Sequence, residues 1–329
     1  MSLGRRIAVL LAGVGLLVGL APSGTGADSP RSPEVTPLAS FSTLGSGSTI
    51  GPDGALYVTD GTAGRVLRID RRTGEVDVHA SGLPTRVVDI GGAMDVVFVG
   101  ARAYVLVILV GEDVGGDDTV GIYRIEQDGS HTVFADIGAF SQANPPETDF
   151  FIPTGVQYSI QSYRSGFLVS DGHHNRVLHV DRHGVVSEFA TFGNIVPTGL
   201  ELLGSRVLVS ELGPIPHEPE NGKVVAVNPR SGEVDELASG ARMVVDVERG
   251  PGGRLYALSQ GMWDGVGEGS PARANTGRLV LVGDDGTLTP VVDGSGAELV
   301  LDRPTSMEFL GASAYVVSLA GTVVRIDNL

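Results

Sequence analysis

The chain has 329 residues, 42% of them hydrophobic but only 5% aromatic, with 48 Gly, no Cys and a formal net charge of −16. The length allows one large domain or two ordinary ones, with a sizeable core, and the lack of Cys excludes disulfides, thiolate nucleophiles and Cys-based metal sites. The negative charge argues against nucleic acid or an anionic membrane as partner and suits a soluble surface.

Residues 1–27 read as a secretory signal peptide: Arg5 and Arg6, an uncharged run from Ile7 to Leu20, and small Thr25 and Ala27 before Asp28. The apolar run falls short of the roughly 20 residues that span a bilayer. Gly4 before the arginines and Ala8 after them depart from the twin-arginine pattern, so the general secretory route is expected. Without Arg5 and Arg6, 21 Lys and Arg face 39 Asp and Glu, a net −18. Residues 28–34, rich in Pro and Ser, are expected to be a disordered mature N-terminus. A secreted location follows, with no stable membrane insertion after cleavage.

From there one pattern repeats. Ala55 to Asp70 reads ALYVTDGTAGRVLRID and Phe167 to Asp181 reads FLVSDGHHNRVLHVD, each a strand, a polar turn and a strand. Six third strands can be aligned: Arg65 to Asp70, Gly121 to Glu126, Arg176 to Asp181, Lys223 to Asn228, Arg278 to Gly283 and Thr322 to Asp327. The first five lead through a Gly-containing turn to a fourth strand, whereas the sixth meets the end of the chain at Leu329. Val35 to Phe41, VTPLASF, reads as a fourth strand with no unit before it. If that strand completes the last sheet, the array closes and no sheet edge is left over. The expected fold is all-β: a single six-bladed β-propeller over 35–329, four antiparallel strands per blade, monomeric.

The recurrent GPDGALYVTD, the GRVLRID third strands and the DVVF start of the second unit resemble the ScyD/ScyE family of exported propeller proteins, and SDGHHNRVLHVD resembles an NHL repeat of the kind also met in gluconolactonase-like propellers. The resemblance covers nearly everything after the signal peptide. It implies a six-bladed extracytoplasmic protein with no established activity, and no catalytic residues to carry over.

In such blades the loops between second and third strands share one face with the links between blades. The long segments crowd there: Gly111 to Val120, Ala139 to Pro153, Glu211 to Gly222, and Ser259 to Gly277 with Trp263. Function is expected on this face. Second strands end in Asp60, Asp171 and Glu211, and first strands begin at Asp95 and Asp246, in opposite units of the ring, where other units have Gly155, Gly199 and Ser306. Two residues further on, Gln157, Glu201, Glu248 and Glu308 are expected to line an acidic channel. Two accounts of these acids stand side by side. They could hold a hard cation such as Ca²⁺, which takes several oxygen ligands, or they could accept backbone N–H groups from neighbouring blades and pair with Arg.

Other features carry less chemistry. His173 and His174, adjacent in a turn, are expected to face solvent rather than bind a metal. Glu112 to Asp118 lacks calcium-loop spacing and reads as a solvated hinge. Trp263 suits an aromatic lid or a local packing plug. The main functional expectation is a binding module for a small molecule or an extracytoplasmic protein, presented through an acidic long-loop face with ligand candidates Asp60, Asp95, Thr154, Asp171, Thr198, Glu211, Asp246 and Trp263, and with no required cofactor. The alternative is a lactonase-like hydrolase with a channel-mouth Ca²⁺. Against it, the Pro-Asn-Gly that resembles a lactonase metal ligand stands here as Pro153-Thr154-Gly155 and Pro197-Thr198-Gly199. A structural role in the cell envelope is the third possibility.

Overall fold

Second and third strands such as Leu56–Asp60, Gly166–Asp171 and Val207–Val209 with Val224–Val227 are apolar on both faces, and in the computed structural model they are buried on both faces because each blade packs between two others. The model describes residues 31–43, 45–218, 220–267 and 270–329. The expected signal peptide and residues 28–30 of the tail lie outside them.

Six antiparallel sheets follow one another. Blade 1 is Ser48–Ile50, Leu56–Asp60, Arg65–Ile69 and Val76–Ala80; blade 2 is Gly92–Val99, Arg102–Ile108, Gly121–Ile125 and His131–Asp136. Blade 3 is Gln157–Tyr163, Gly166–Asp171, Arg176–Val180 and Val186–Thr191; blade 4 is Pro197–Leu203, Arg206–Glu211, Gly222–Val227 and Val234–Ala241. Blade 5 is Val244–Arg249, Leu255–Ser259, Gly277–Val282 and Leu288–Pro290, with Val300–Leu301 added alongside its third strand. Blade 6 is Pro304–Leu310, Ser313–Ser318 and Thr322–Asp327, and its fourth strand is Glu34–Ser40, near the start of the described residues. The expected fourth-strand donation and the six third strands are therefore present, with ends moved by a residue or two. Glu34, placed in the tail by sequence, already belongs to the closing strand.

The segment Ala139 to Pro153 is not all loop. Asp136 caps a short helix, Ile137–Ala143, by accepting the Ala139 N–H at 2.8 Å. Fourth strands are largely exposed, as at Val76–His79, because they form the rim of the ring.

Closure also buries apolar surface: Leu38, Ala39 and Phe41 pack on a cluster containing Leu56, Val58, Ile69, Val317 and Val323. Deleting residues 32–42 removes this contact and uncovers the ladder of Thr322–Asp327. The expected result is a drop of more than about 10 °C in melting temperature, with aggregation on size-exclusion chromatography. A monomeric variant with the parent's transition would refute closure as a source of stability.

Candidate functional site: the central channel and its mouth

The first strands of the six blades ring a channel, and strand register fixes which side chains share a level. Thr49, Val97, Gln161, Glu201, Glu248 and Glu308 stand opposite Tyr57, Tyr104, Leu168, Leu208, Tyr256 and Tyr315 of their second strands. Two residues earlier, nearer the long-loop face, come Gly47, Asp95, Ser159, Gly199, Asp246 and Ser306.

At that level the two aspartates are clamps between blades. Asp95 accepts the N–H of Val96 at 2.8 Å and of Ile160, in blade 3, at 2.8 Å. Asp246 accepts those of Val247 at 2.9 Å and of Met307, in blade 6, at 2.7 Å. Glycine in the preceding blade makes room: a Cβ on Gly47 would lie 2.1 Å from Asp95 Oδ1, and one on Gly199 would lie 2.5 Å from Asp246 Oδ1. The N–H groups of these glycines are held by Thr59 Oγ1 and Ser210 Oγ. Blades 1 to 3 and 4 to 6 thus repeat one design, a pseudo-two-fold that the sequence shows only as Asp in opposite units. Burial pushes the Asp95 carboxyl up to about 7 and Asp246 well above the usual range, the latter also through the charges of Asp95 and Glu201.

Glu201, Glu248 and Glu308 come from successive blades. Their pKa values are raised, first by burial in the narrow channel and, for Glu248 and Glu308, also by neighbouring carboxylates. Gln161, 3.3 Å from Glu201, shares their level. The spacing of the repeats predicts Gln157 there instead. Gln157 is fully buried off the channel, donating to Thr154 O at 2.9 Å and Asp171 Oδ1 at 3.2 Å. The difference has a cause: blade 3 begins its strand four residues later than the Pro-Thr-Gly motif suggests, and its pairing slips between Gln157 and Ile160.

The two Pro-Thr-Gly motifs consequently differ. Thr198, inside a strand, donates to the carbonyls of Ser210 and Val244 at 3.0 Å each, joining blades 4 and 5. Thr154 precedes its strand and donates its N–H and hydroxyl to Asp113 Oδ2 at 3.0 and 2.7 Å. Asp113 therefore ties the Gly111 to Val120 segment down, where sequence suggested a solvated hinge.

The acids that end second strands do not converge on the mouth. Asp60, Asp171 and Glu211 each face a base across their own hairpin, at register pairs Asp60 with Arg65, Asp171 with Arg176 and Glu211 with Lys223. Arg65 Nε lies 2.7 Å from Asp60, and Arg176 Nε 3.2 Å from Asp171. Lys223 reaches outward to Glu236, and burial pushes Glu211 up to about 7. Arg176, 1% exposed, also donates to Asn144 O, Ser141 Oγ and Glu188. Its network includes His174, and both histidines are buried, contrary to expectation: His173 Nε2 accepts the N–H groups of Phe151 and Ile152 at 2.9 and 3.1 Å, while His174 Nε2 contacts Ile152 O at 3.0 Å. The long segment before blade 3 folds back over the turn and covers them.

These contacts also test the fit of Ca²⁺. Asp95 and Asp246 commit both oxygens to backbone N–H groups, and among the described residues no three His, Asp or Glu come together in a way that could hold a metal ion. The donors do not fit the ion.

What the mouth does offer is a cavity of about 170 Å³. Met94, Tyr158, Val196, Leu212, Met243 and Val245 line it, with Asp95, Asp246, Glu248 and Glu308 toward the channel. Val196 and Met243 sit in links between blades with φ of 53° and 48°, conformations costly for a β-branched or long side chain, which hold the links at the rim. Trp263 packs on the cluster of Val196, Leu212 and Met243 behind this wall, its indole N–H donating to Ser270 Oγ at 2.9 Å. The mouth is therefore apolar above an acidic channel rather than acidic throughout. Sequence missed its wall because these residues lie in links and strand starts, where apolar side chains have no period to betray them.

With the channel described, likenesses to solved structures can be placed. A gluconolactonase from Xanthomonas campestris superposes with a TM-score of 0.61 at 14% identity, over 90% of this chain and 89% of that one. Virginiamycin B lyase from Staphylococcus aureus gives 0.53 at 12%, over 90% and 98%, and the PQQ-bound aldose sugar dehydrogenase from Streptomyces coelicolor 0.57 at 12%, over 91% and 99%. The fold is that of the gluconolactonase-like and virginiamycin B lyase-like six-bladed propellers. At these identities the likeness reaches the architecture only. No family model and no curated protein matches the sequence.

Proposed function

We propose that this protein is an exported binding module that takes a small molecule in the channel mouth, the apolar body against Met94, Tyr158, Val196, Leu212, Met243 and Val245 and a cationic or hydrogen-bond-donating end toward Glu248 and Glu308. The observation that carries this reading is the cavity itself, an apolar wall above carboxylates drawn from several blades. Its size suits one ring-sized group, since an apolar void of about 150 Å³ is enough to hold benzene. The ScyD/ScyE resemblance supports the same reading, because it carries no catalytic constellation with it.

Ligand-observed NMR with 2-phenylethylamine and with phenylacetate tests it, as the two share a ring and differ in the sign of the attached charge. The amine is expected to bind saturably and the acid to bind at least about tenfold more weakly, a difference of about 1.4 kcal/mol. Leu212→Trp, which fills the cavity, should abolish the amine's binding. Equal retention of the two probes, or binding indifferent to Leu212→Trp, would overturn the reading.

The second reading, a Ca²⁺-dependent lactonase-like hydrolase, is favoured by fold likeness and opposed by the donor geometry. Melting curves in calcium and in chelator are expected to coincide, since a ligand selective for the native state must raise the transition. A calcium-dependent rise would restore it. Export itself predicts a mature chain beginning at or near Asp28, which mass spectrometry of the extracytoplasmic fraction would show.

A further inference from the structure

On the opposite face, where the hairpin turns are short, a second cavity of about 340 Å³ lies between blades 1 and 6, bounded by Gly54, Arg68, Arg71, Arg72, Tyr315 and Arg325. Four guanidinium groups gather here in a chain with 23 Lys and Arg against 39 acidic residues. Two of them are neutralised. Arg68 pairs with Asp53 at 2.7 Å and lies 4.0 Å from Asp77, and Arg325 pairs with Asp327 at 2.8 Å. Asp70, also on the rim, accepts the N–H groups of Arg72 and Thr73 at 2.8 Å each and so serves its own turn.

Among the described residues neither Arg71 nor Arg72 forms a close ion pair, although the Asp70 carboxyl is held below its usual range by the Thr73 and Arg72 N–H groups and, to a lesser degree, by the charge of Arg72. Arg71 crosses from blade 1 to blade 6: its Nε donates to the Gly54 carbonyl, its Nη1 to the Tyr315 hydroxyl at 3.0 Å, and its guanidinium carbon lies 5.3 Å from that ring's centroid. Its Nη2 is left over. Gly54, at φ 76°, lies beside that nitrogen, where a Cβ would stand at ordinary contact distance, 3.5 Å. The Tyr315 oxygen accepts from Arg71, so its own hydrogen is available to donate. Arg72 is exposed beside them.

We propose that this cavity binds a tetrahedral oxyanion, phosphate or sulfate, free or as the terminal group of a larger molecule. Arg71 Nη2 and the Tyr315 O–H supply donors fixed by the fold, and the exposed Arg72 adds charge and a planar fork suited to two oxygens. The site straddles the interface between blades 1 and 6, so an anion there would also link them. It shares no residue with the channel mouth and stands or falls separately.

Isothermal titration of the mature chain with sodium phosphate and sodium sulfate, against sodium chloride at matched ionic strength, is the test. Saturable binding of either oxyanion but not of chloride is expected, weakened at least tenfold in Arg72→Gln and again in Tyr315→Phe. Neither variant removes a buried charge, so both should fold, which circular dichroism would check; Tyr315→Phe gives up the Arg71 Nη1 hydrogen bond but keeps the ring beside the guanidinium, whereas Arg71→Gln loses both contacts between the blades and is avoided as the first probe. Tighter binding of a sugar phosphate than of orthophosphate would assign a substituted ligand, and equal binding the free ion, either outcome upholding the oxyanion site. No saturable binding, or binding unchanged in both variants, overturns it.

Discussion

The melting temperature of this protein is expected to rise, by at least about 5 °C, as pH is lowered from 8 to 5. Asp95 and Glu211 each rise to about 7, from 3.8 and 4.5, because burial disfavours their charge, and Asp246, Glu248 and Glu308 are raised as well. A carboxyl with a raised folded pKa binds its proton more tightly in the native state, so its contribution is fully present below the unfolded pKa and is lost as pH rises through the folded one. The window therefore runs from about 4 to 7. For Asp95 alone the shift corresponds to on the order of 4 kcal/mol, and the coupled channel acids add less than their sum. His173 opposes the trend, since burial lowers its pKa and its protonation below pH 6.5 costs stability. Exposed carboxylates with lowered values, such as Asp70 and Asp181, act only below the ordinary carboxylate range. Glu211→Gln, which keeps the shape and removes one titration, should flatten the slope measured by calorimetry. A melting temperature that falls steadily from pH 8 to 5 would refute the burial of these charges.

Arg176→Met is expected to cost roughly 3–5 kcal/mol, because it strands the buried Asp171 carboxylate without its cation. It also frees Ser141, Asn144 and Glu188 from their shared donor. Arg65→Met, at the matching register position in blade 1, should cost less, about 1–3 kcal/mol, since Asp60 is equally buried but water can reach the space that the arginine leaves. There the arginine side chain is 29% exposed, and Asp60 keeps the Thr43 hydroxyl at 2.7 Å and the Ala63 N–H at 3.1 Å. Urea titration of the two variants distinguishes them through the midpoint at constant slope. Equal losses would mean that the Asp171 network owes its stability to something other than buried charge.

The same sequence pattern, an acid closing one strand and a base opening the next, thus has different weights in different blades, and only burial tells them apart. Blade 3 is the case in point. Its sequence shows the turn Asp171-Gly-His-His-Asn-Arg176 but not the helix and loop of 137–153 that fold over it, since a contact between residues 151 and 173 leaves no trace in local composition. Solvent-facing histidines were the natural expectation for a turn, and the covering segment turned them into acceptors for backbone N–H groups.

What the sequence by itself determined is the ring: a short-range strand grammar repeated along the chain, with a strand lacking at one end and surplus at the other, leaves closure as the way to satisfy every ladder edge. It also placed Asp95, Asp246, Glu201, Glu248 and Glu308 on first strands, because two-residue alternation survives without knowledge of neighbours. Tertiary structure alone decided that Asp95 and Asp246 clamp adjacent blades, that Gln161 and not Gln157 reaches the channel level, and that the mouth is walled by apolar side chains. The physical reason is that strand pairing is local and periodic, whereas a channel is made by side chains from six blades whose spacing in the chain is set by loops of unequal length.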